Sequence, residues 1–334
     1  MRLAVVSPCF NEQDVLRKSA ERLTEFFETL IHKGKISPDS YILYVNDGSK
    51  DNTWNIIQDL QETNPYIKGI SLVSNVGHQN AIMAGMMTVK NVCDAVVTID
   101  SDLQDDLNAM EEMIDRYEEG YDVVYGVKVS RKADPFLKRS MAIGFYKIQD
   151  KLGVKAIYNH ADFRLISRRA LQQLSLYKEK NLYLRGIIPL MGYKSAIVED
   201  VISERIAGKS KYTLKKMLKL AVDGITSFST RPMHLIFVIG FLFLLITLGI
   251  FVYVLISFFT HHIVPGWTSL MLSLWFIGSV VLLSIGIVGE YIGNIYVEIK
   301  QRPLYNIDEN SNQELKEDFL KTEKKEDCIN ERHQ

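Results

Sequence analysis

Cysteine is scarce: Cys9, Cys93 and Cys328 are odd in number and far apart, which argues against a disulfide framework and matches no zinc-ligand spacing. Three such thiols suit a reducing compartment. Neither sign of charge is in surplus. With 39 basic and 40 acidic residues, net charge −1, the broad basic surface of a general nucleic-acid binder is missing, so no nucleic acid is expected as a partner. No G-x-G-x-x-G or G-x-x-x-x-G-K-[ST] run occurs, which weakens dinucleotide-binding and P-loop readings. The N-terminus has no long apolar core of the signal-peptide kind. Met1–Ser7 reads instead as a first strand, and the bulk of the protein is expected in the cytosol.

What is present divides into unlike parts that the mean hydropathy of 0.00 averages away. Over residues 1–130, short β-branched runs alternate with amphipathic stretches. Strands are expected at Leu3–Ser7, Tyr41–Asn46, Gly69–Val73, Ala95–Asp100 and Asp122–Gly126. In the first helical stretch, Leu23, Phe26, Phe27, Leu30 and Ile31 recur at helical spacing. Such alternation predicts an α/β fold, a mostly parallel sheet with helices on both faces. Ligands in these sheets sit beyond the C-terminal strand ends. The polar runs Pro8–Glu12, Asn46–Ser49 and Asp100–Asp102 all occupy that position.

The C-terminal part reads as membrane-associated. Leu214, Met217, Leu218, Ala221, Val222 and Ile225 form an apolar stripe flanked by Lys215, Lys216 and Lys219, the pattern of an interfacial helix on an anionic surface. Leu235–Phe259 is 25 residues without a charge and Leu270–Gly289 is 20 more. At helical rise these run about 30–37 Å, the thickness of a hydrocarbon core. Lys215, Lys216, Lys219 and Arg231 precede the first span, and Lys300 and Arg302 follow the second. The loop between them has no Lys or Arg, so two spans with both termini cytoplasmic are expected. The tail after Asn306 is acidic and poor in apolar residues, and disorder is expected there.

Chemistry gathers in the loops. Asp100 and Asp102, two carboxylates at i and i+2 after an apolar strand, can share a hard divalent ion, which a departing diphosphate needs. An acidic turn capping the next helix is the plainer alternative and suits Asp105 and Asp106. In Asn46-Asp47-Gly48-Ser49-Lys50-Asp51, Gly48 permits a tight turn, Asp47 can accept from a nucleobase, and Asp51 suits a helix N-cap.

These runs, with Asn75–Gln79, Asp162–Arg168, Arg205–Tyr212, Asp223–Ser229 and Gly289–Gly293, resemble the inverting glycosyltransferases of family 2, which have the nucleotide-binding GT-A fold. Within that family, the chain is similar to bacterial polyprenyl-phosphate glycosyltransferases related to dolichol-phosphate mannose synthase, from about Val5 to Tyr305. The resemblance implies a GT-A catalytic domain over 1–210, an amphipathic interfacial helix over 211–232 and transmembrane helices over 233–259 and 270–292. A short extracellular loop at 260–269 would join the spans, and a cytoplasmic tail over 293–334 would be disordered at its end. A cell-membrane location with the catalytic domain cytoplasmic follows; a homo-oligomer is left open.

The implied reaction moves a hexose, glucose or N-acetylglucosamine, from a UDP-sugar to undecaprenyl phosphate with inversion, for envelope glycosylation. The resemblance assigns the nucleotide-sugar to Pro8, Phe10, Asn11, Glu12, Asp47, Gly77, His78 and Asp100, and Mg²⁺ or Mn²⁺ to Asp100, Asp102 and Gln104. Asp162 and Arg164 are the catalytic candidates. Proton removal by Asp162 stays open beside a positioning role, because a phosphate monoester is already ionised near neutral pH, with a second pKa of about 6. Arg131, Arg139, Arg205, Ser210, Lys211 and Tyr212 are candidates for the acceptor phosphate. Where the family often has prolines after the acidic motif, this chain has Asp106-Leu107, a change expected to affect the start of the helix more than the metal site. A processive polysaccharide synthase is disfavoured, since Trp54, Trp267 and Trp275 never follow Arg and no Q-x-x-R-W motif exists. A non-catalytic membrane partner or sensor would be expected to lose Asp47, Asp100 or Asp102, and all three are present.

Overall fold

A computed structural model of the chain describes residues 1–128, 160–180, 183–201, 242 and 266–310. The chain divides into two compact units. One gathers the N-terminal residues, the segment from Lys155 to Tyr212 and everything from Arg302; the other holds chiefly Thr213–Gln301.

The first unit is built on an eight-stranded sheet in the order β7-β5-β6-β4-β1-β2-β3-β8. Its strands are β1 (Leu3–Cys9), β2 (Tyr41–Asn46), β3 (Ile67–Leu72), β4 (Ala95–Thr98), β5 (Val123–Lys128), β6 (His160–Ser167), β7 (Ser195–Asp200) and β8 (Ile307–Asn310). β1, β2, β3 and β4 pair in parallel, as do β5 and β7. β6 runs against β4 and β5, and β8 runs against β3. The expected mostly parallel sheet is present, with two reversed strands that the sequence pattern did not show.

The inner strands β1 and β2 are buried at every position, as strands covered on both faces must be. On one face α1 (Leu16–His32) packs Leu16, Leu23, Phe27 and Leu30 into a core with Leu3, Val5, Ile42 and Tyr44. α4 (Leu107–Glu118) adds Met110, Met113 and Ile114 to that core, and Ile57 of α2 (Thr53–Thr63) joins it. α3 (His78–Val89) covers the opposite face, with Gly85 directly against Val6 and Val45. Two short helices, α5 (Arg168–Leu174) and α6 (Leu184–Leu190), complete the described part of this unit.

Several boundaries differ from the sequence reading. β1 continues through Pro8 to Cys9. Proline is admitted there because β4 pairing stops at the Val6–Thr98 register, so no ladder partner on that side awaits a residue-8 amide. β4 ends at Thr98, which leaves Asp100 in the loop beyond it. The stretch after Asn306, expected to be disordered, begins with β8; its residues form a strand by backbone pairing with the β3 edge rather than through apolar side chains.

In the second unit, α7 (Trp267–Ile299) is a 33-residue helix. It starts three residues before the expected second span and runs seven past its end at residue 292. An 18-residue stretch within Phe276–Ile299 has mean hydropathy 1.8, and Leu274, Leu282 and Leu283 are largely exposed. This is the one described helix long and apolar enough to cross a membrane. The expected first span, over 233–259, lies outside the described residues apart from Leu242.

A Cβ on Gly85 would stand 2.4 Å from Val6 Cγ1 and 2.8 Å from Val45 Cγ2. Gly85→Ala is therefore expected to destabilise the protein by about 1–3 kcal/mol through overpacking, despite alanine's better helix propensity. Thermal unfolding of the detergent-solubilised protein, read as a drop in Tm of several degrees, checks it.

Candidate active site

Parallel pairing brings the C-terminal ends of β1, β2 and β4 to one edge of the sheet, and the three polar loops meet there. The Asp47 amide donates to the Cys9 carbonyl at 2.8 Å and the Ile99 amide to the Val6 carbonyl at 3.1 Å. The first two loops are joined by side chains. The Asn11 amide donates to Ser49 Oγ at 3.0 Å, the Lys50 amide to Asn11 Oδ1 at 2.9 Å, and the Glu12 amide to Thr53 Oγ1 at 2.9 Å. Asn11 takes φ +53°, a left-handed conformation that asparagine tolerates better than most residues. Pro8 is buried within β1, whereas Phe10, Asn11 and Glu12 are at least partly accessible at the edge.

Asp47 is buried, and its carboxylate clamps the next loop. It accepts from the Val76 amide at 2.7 Å, the Gly77 amide at 3.1 Å and Asn75 Nδ2 at 2.9 Å. Burial raises its pKa, with the two amides and the charge of His78 acting in opposition. Gly48, at φ +60°, lies against the same loop: a Cβ there would stand 2.5 Å from the Asn75 amide nitrogen. Only glycine satisfies both the turn and the close approach. Asp51 accepts from the Thr53 amide at 3.1 Å and serves the start of α2, although the N-cap position itself is Asn52.

In the acidic loop, Asp100 is about half exposed and Asp102 is partly exposed, with Asp102 Oδ1 3.4 Å from the Gln104 amide. Asp106 caps α4 by accepting from the Asn108 amide at 2.9 Å, and Leu107 is the first helical residue. Asp105 behaves differently. It is buried, with Lys128 Nζ 3.3 Å away; burial and the charge of Asp100 raise its pKa to about 7 against the pull of Lys128.

β6 pairs Thr98 with Arg164 and so carries Asp162 to the acidic loop. Asp162 is 8% exposed and three cationic side chains converge on it. Arg164, fully buried, contacts Oδ1; Arg185 Nη2 lies 3.0 Å from Oδ2 and its Nε 3.3 Å from Oδ1. His78 Nε2 stands 3.4 Å from Asp162 Oδ2 and 3.4 Å from Asp100 Oδ1, bridging the two carboxylates. Burial opposes charge on both members of the His78–Asp162 pair. Even so, the hydrogen bond to Asp162 and the charge of Asp100 raise His78 to about 9. Arg185, His78 and Arg164 together hold Asp162 well below the usual carboxylate range.

The structure thus gathers Phe10, Asn11, Glu12, Asp47, Gly77, His78, Asp100, Asp102, Gln104, Asp162 and Arg164 around one end of the sheet. Arg131, Arg139, Arg205, Ser210, Lys211 and Tyr212 lie outside the described residues. Sequence reasoning missed Arg185. It stands in no motif that was singled out, and only the fold brings it to Asp162.

The family model for glycosyl transferase family 2 matches residues 4–175, which include all three loops and β6. The chain belongs to glycosyltransferase family 2. It is similar to the uncharacterized glycosyltransferase YkoT of Bacillus subtilis (strain 168), with 48% identity over 92% of this chain and 91% of the relative. The SfII prophage-derived bactoprenol glucosyl transferase of Shigella flexneri is 37% identical over 92% of this chain and 97% of its own length. Among solved structures, glucosyl-3-phosphoglycerate synthase from Mycobacterium tuberculosis is a distant likeness: 13% identity, 67% of this chain and 76% of that chain, TM-score 0.41.

Asp47→Ala removes the acceptor shared by the amides of Val76 and Gly77 and is expected to loosen the 74–77 loop at a cost of about 1–3 kcal/mol. Faster limited proteolysis within that loop, with a lower Tm, is the expected readout.

Proposed function

We propose that this family 2 glycosyltransferase transfers a hexose, glucose or N-acetylglucosamine, from a UDP-sugar to a polyprenyl phosphate with inversion at the anomeric carbon. The observation that carries the reading is the meeting of the Asp100–Asp102 loop with the Asp47 loop at the C-terminal strand ends. The chain in which they meet aligns over nine-tenths of its length with bactoprenol glucosyl transferases.

Phe10, Asn11, Glu12, Asp47 and Gly77 frame the nucleotide side. Asp47 already accepts three hydrogen bonds, and a carboxylate has about four acceptor positions, which leaves capacity for one donor from a base. Among the described residues no group of three or more His, Cys, Asp or Glu side chains is placed to hold a metal by itself. Two accessible carboxylates fit an ion whose remaining ligands are substrate phosphate oxygens and water, the usual donor set for Mg²⁺. Asp100 and Asp102, with Gln104 beside them, are the residues that would hold Mg²⁺ or Mn²⁺. The ion would supply charge compensation for the departing diphosphate.

In the transfer, an oxygen of the acceptor phosphate forms a bond to the anomeric carbon as the bond to the diphosphate oxygen breaks, and UDP departs with the electron pair. The acceptor oxygen is already deprotonated, so the step needs no base. Asp162, held ionised by its three cations, serves better as an anchor than as a proton acceptor. The apolar helix α7 accords with a lipid acceptor presented at a membrane; two spans, a cytoplasmic catalytic domain and cytoplasmic termini complete the reading.

Purified membranes incubated with undecaprenyl phosphate and radiolabelled nucleotide sugars, with Mn²⁺ or with EDTA, test it. Transfer from a UDP-hexose, lost with EDTA, is expected. Asp102→Ala should abolish transfer, a fall of about 100-fold or more in kcat, while expression and membrane insertion stay normal. Full activity of that variant at saturating UDP-sugar would overturn the assignment of the ion.

A further inference from the structure

Arg185 is held by a geometry that a charge partner alone does not require. Its guanidinium lies side-on to Asp162, with Nε and Nη2 reaching the two carboxylate oxygens at 3.3 and 3.0 Å. Asp162 is itself fixed: the Thr98 hydroxyl donates to its carbonyl, and Arg164, two residues along the same strand, binds Oδ1 from a fully buried position. α6, which carries Arg185, is tied to α3 because the Leu184 amide donates to Gln79 Oε1 at 2.9 Å, one residue from His78. His78 in turn touches both Asp162 and Asp100. Arg185 is thus locked one side chain away from the acidic pair.

The two arginines on Asp162 differ in access. The side chain of Arg164 is 1% exposed and that of Arg185 is 25% exposed. Arg164 answers the charge of a buried carboxylate. Of the two arginines, Arg185 is the one that substrate can reach. A guanidinium presents its N–H donors in a planar fork that matches phosphate oxygens. A donor fixed before the reaction stabilises developing anionic charge without reorganising.

We propose that Arg185 contacts a phosphate oxyanion of the reacting substrates, and that Asp162 is the positioning residue that aims it. The proposal rests on the glycosyl-transfer reading above. Two sources offer this chemistry, the diphosphate of the donor and the phosphate monoester of the acceptor.

The test uses the full-length enzyme in detergent. Mn²⁺–UDP affinity is measured by calorimetry, which needs no turnover, and kcat and acceptor KM are measured with the donor that the wild type uses. A wild type that transfers no sugar would defeat the transfer reading itself; a transferring wild type with an unaffected Arg185 variant would defeat only this proposal. Arg185→Gln is expected to lose about 100-fold or more in kcat/KM. A UDP affinity weakened by about tenfold or more identifies the donor diphosphate; an acceptor KM raised by as much, with UDP binding intact, identifies the acceptor phosphate. Arg185→Lys keeps a charge but loses the fork, and a loss of about tenfold or more is expected from it even if the glutamine variant fails to fold. Values within about threefold of wild type for either folded variant overturn the proposal.

The positioning role is read from non-additivity. Asp162→Asn should reproduce the Arg185→Gln defect, and the double variant should be little worse than either single one. Independent losses that multiply would show that Asp162 acts by another route and would overturn its assignment as the residue that aims Arg185.

Discussion

Asp162 has almost no access to solvent where β6 meets the acidic loop, and a carboxylate there is tolerable only in the company of cations. Stripping a partner from a buried ion pair typically costs about 3–5 kcal/mol, because the remaining charge stays buried and uncompensated. That constraint binds four elements together. Arg164 comes from the same strand, Arg185 from α6, and His78 from the first turn of α3, which also reaches Asp100. The arrangement at the site is therefore as rigid as the helices and strands that hold these side chains.

The sheet supplies the other half of the geometry. Because β1, β2 and β4 run parallel and adjacent, their loops emerge together, and short polar side chains then fasten loop to loop. Asp47 links the loop after β2 to the loop after β3, and Gly48 lets those two backbones approach at a distance no Cβ would permit. Ser49, Asn11 and Thr53 fasten the loop after β1 to the same group. A nucleotide pocket framed by Phe10, Glu12 and Gly77 would be shaped in advance, so less ordering entropy would oppose binding.

How much of this was legible in the sequence follows from which residues carry their own signal. β1 to β5 were found within a few residues because each is an apolar run, buried on most positions, between polar breaks. β6 was visible only as a motif. His160, Asp162 and Arg164 interrupt its apolar pattern, and the charge of Asp162 is met by Arg164 beside it and by His78 and Arg185, both distant in sequence. β7 alternates exposed and buried positions at the sheet edge, and β8 is the acidic run Ile307-Asp308-Glu309-Asn310, whose composition argues against a strand. Its order comes from backbone pairing with β3, to which side-chain composition is blind. Asp106 reads as a cap and is one, whereas its neighbour Asp105 looks equivalent and is buried against Lys128. Arg185 carried no local signal at all, since nothing beside Tyr183-Leu184-Arg185-Gly186 says that Asp162 waits across the fold.

The same geometry bears on what kind of nucleophile the site suits. A sugar hydroxyl must lose a proton during attack and calls for a base of matched pKa, which an aspartate gains by burial without cations. Asp162 is at the opposite extreme: its three cations stabilise the ionised form and make it a weak proton acceptor. A phosphate monoester brings its own negative charge and instead calls for cations that offset the repulsion between two anionic substrates. Positively charged groups gathered on a buried carboxylate, with Arg185 and His78 reachable from solvent, answer that need. The electrostatics of Asp162 thus favour an anionic acceptor on grounds independent of sequence similarity and of α7.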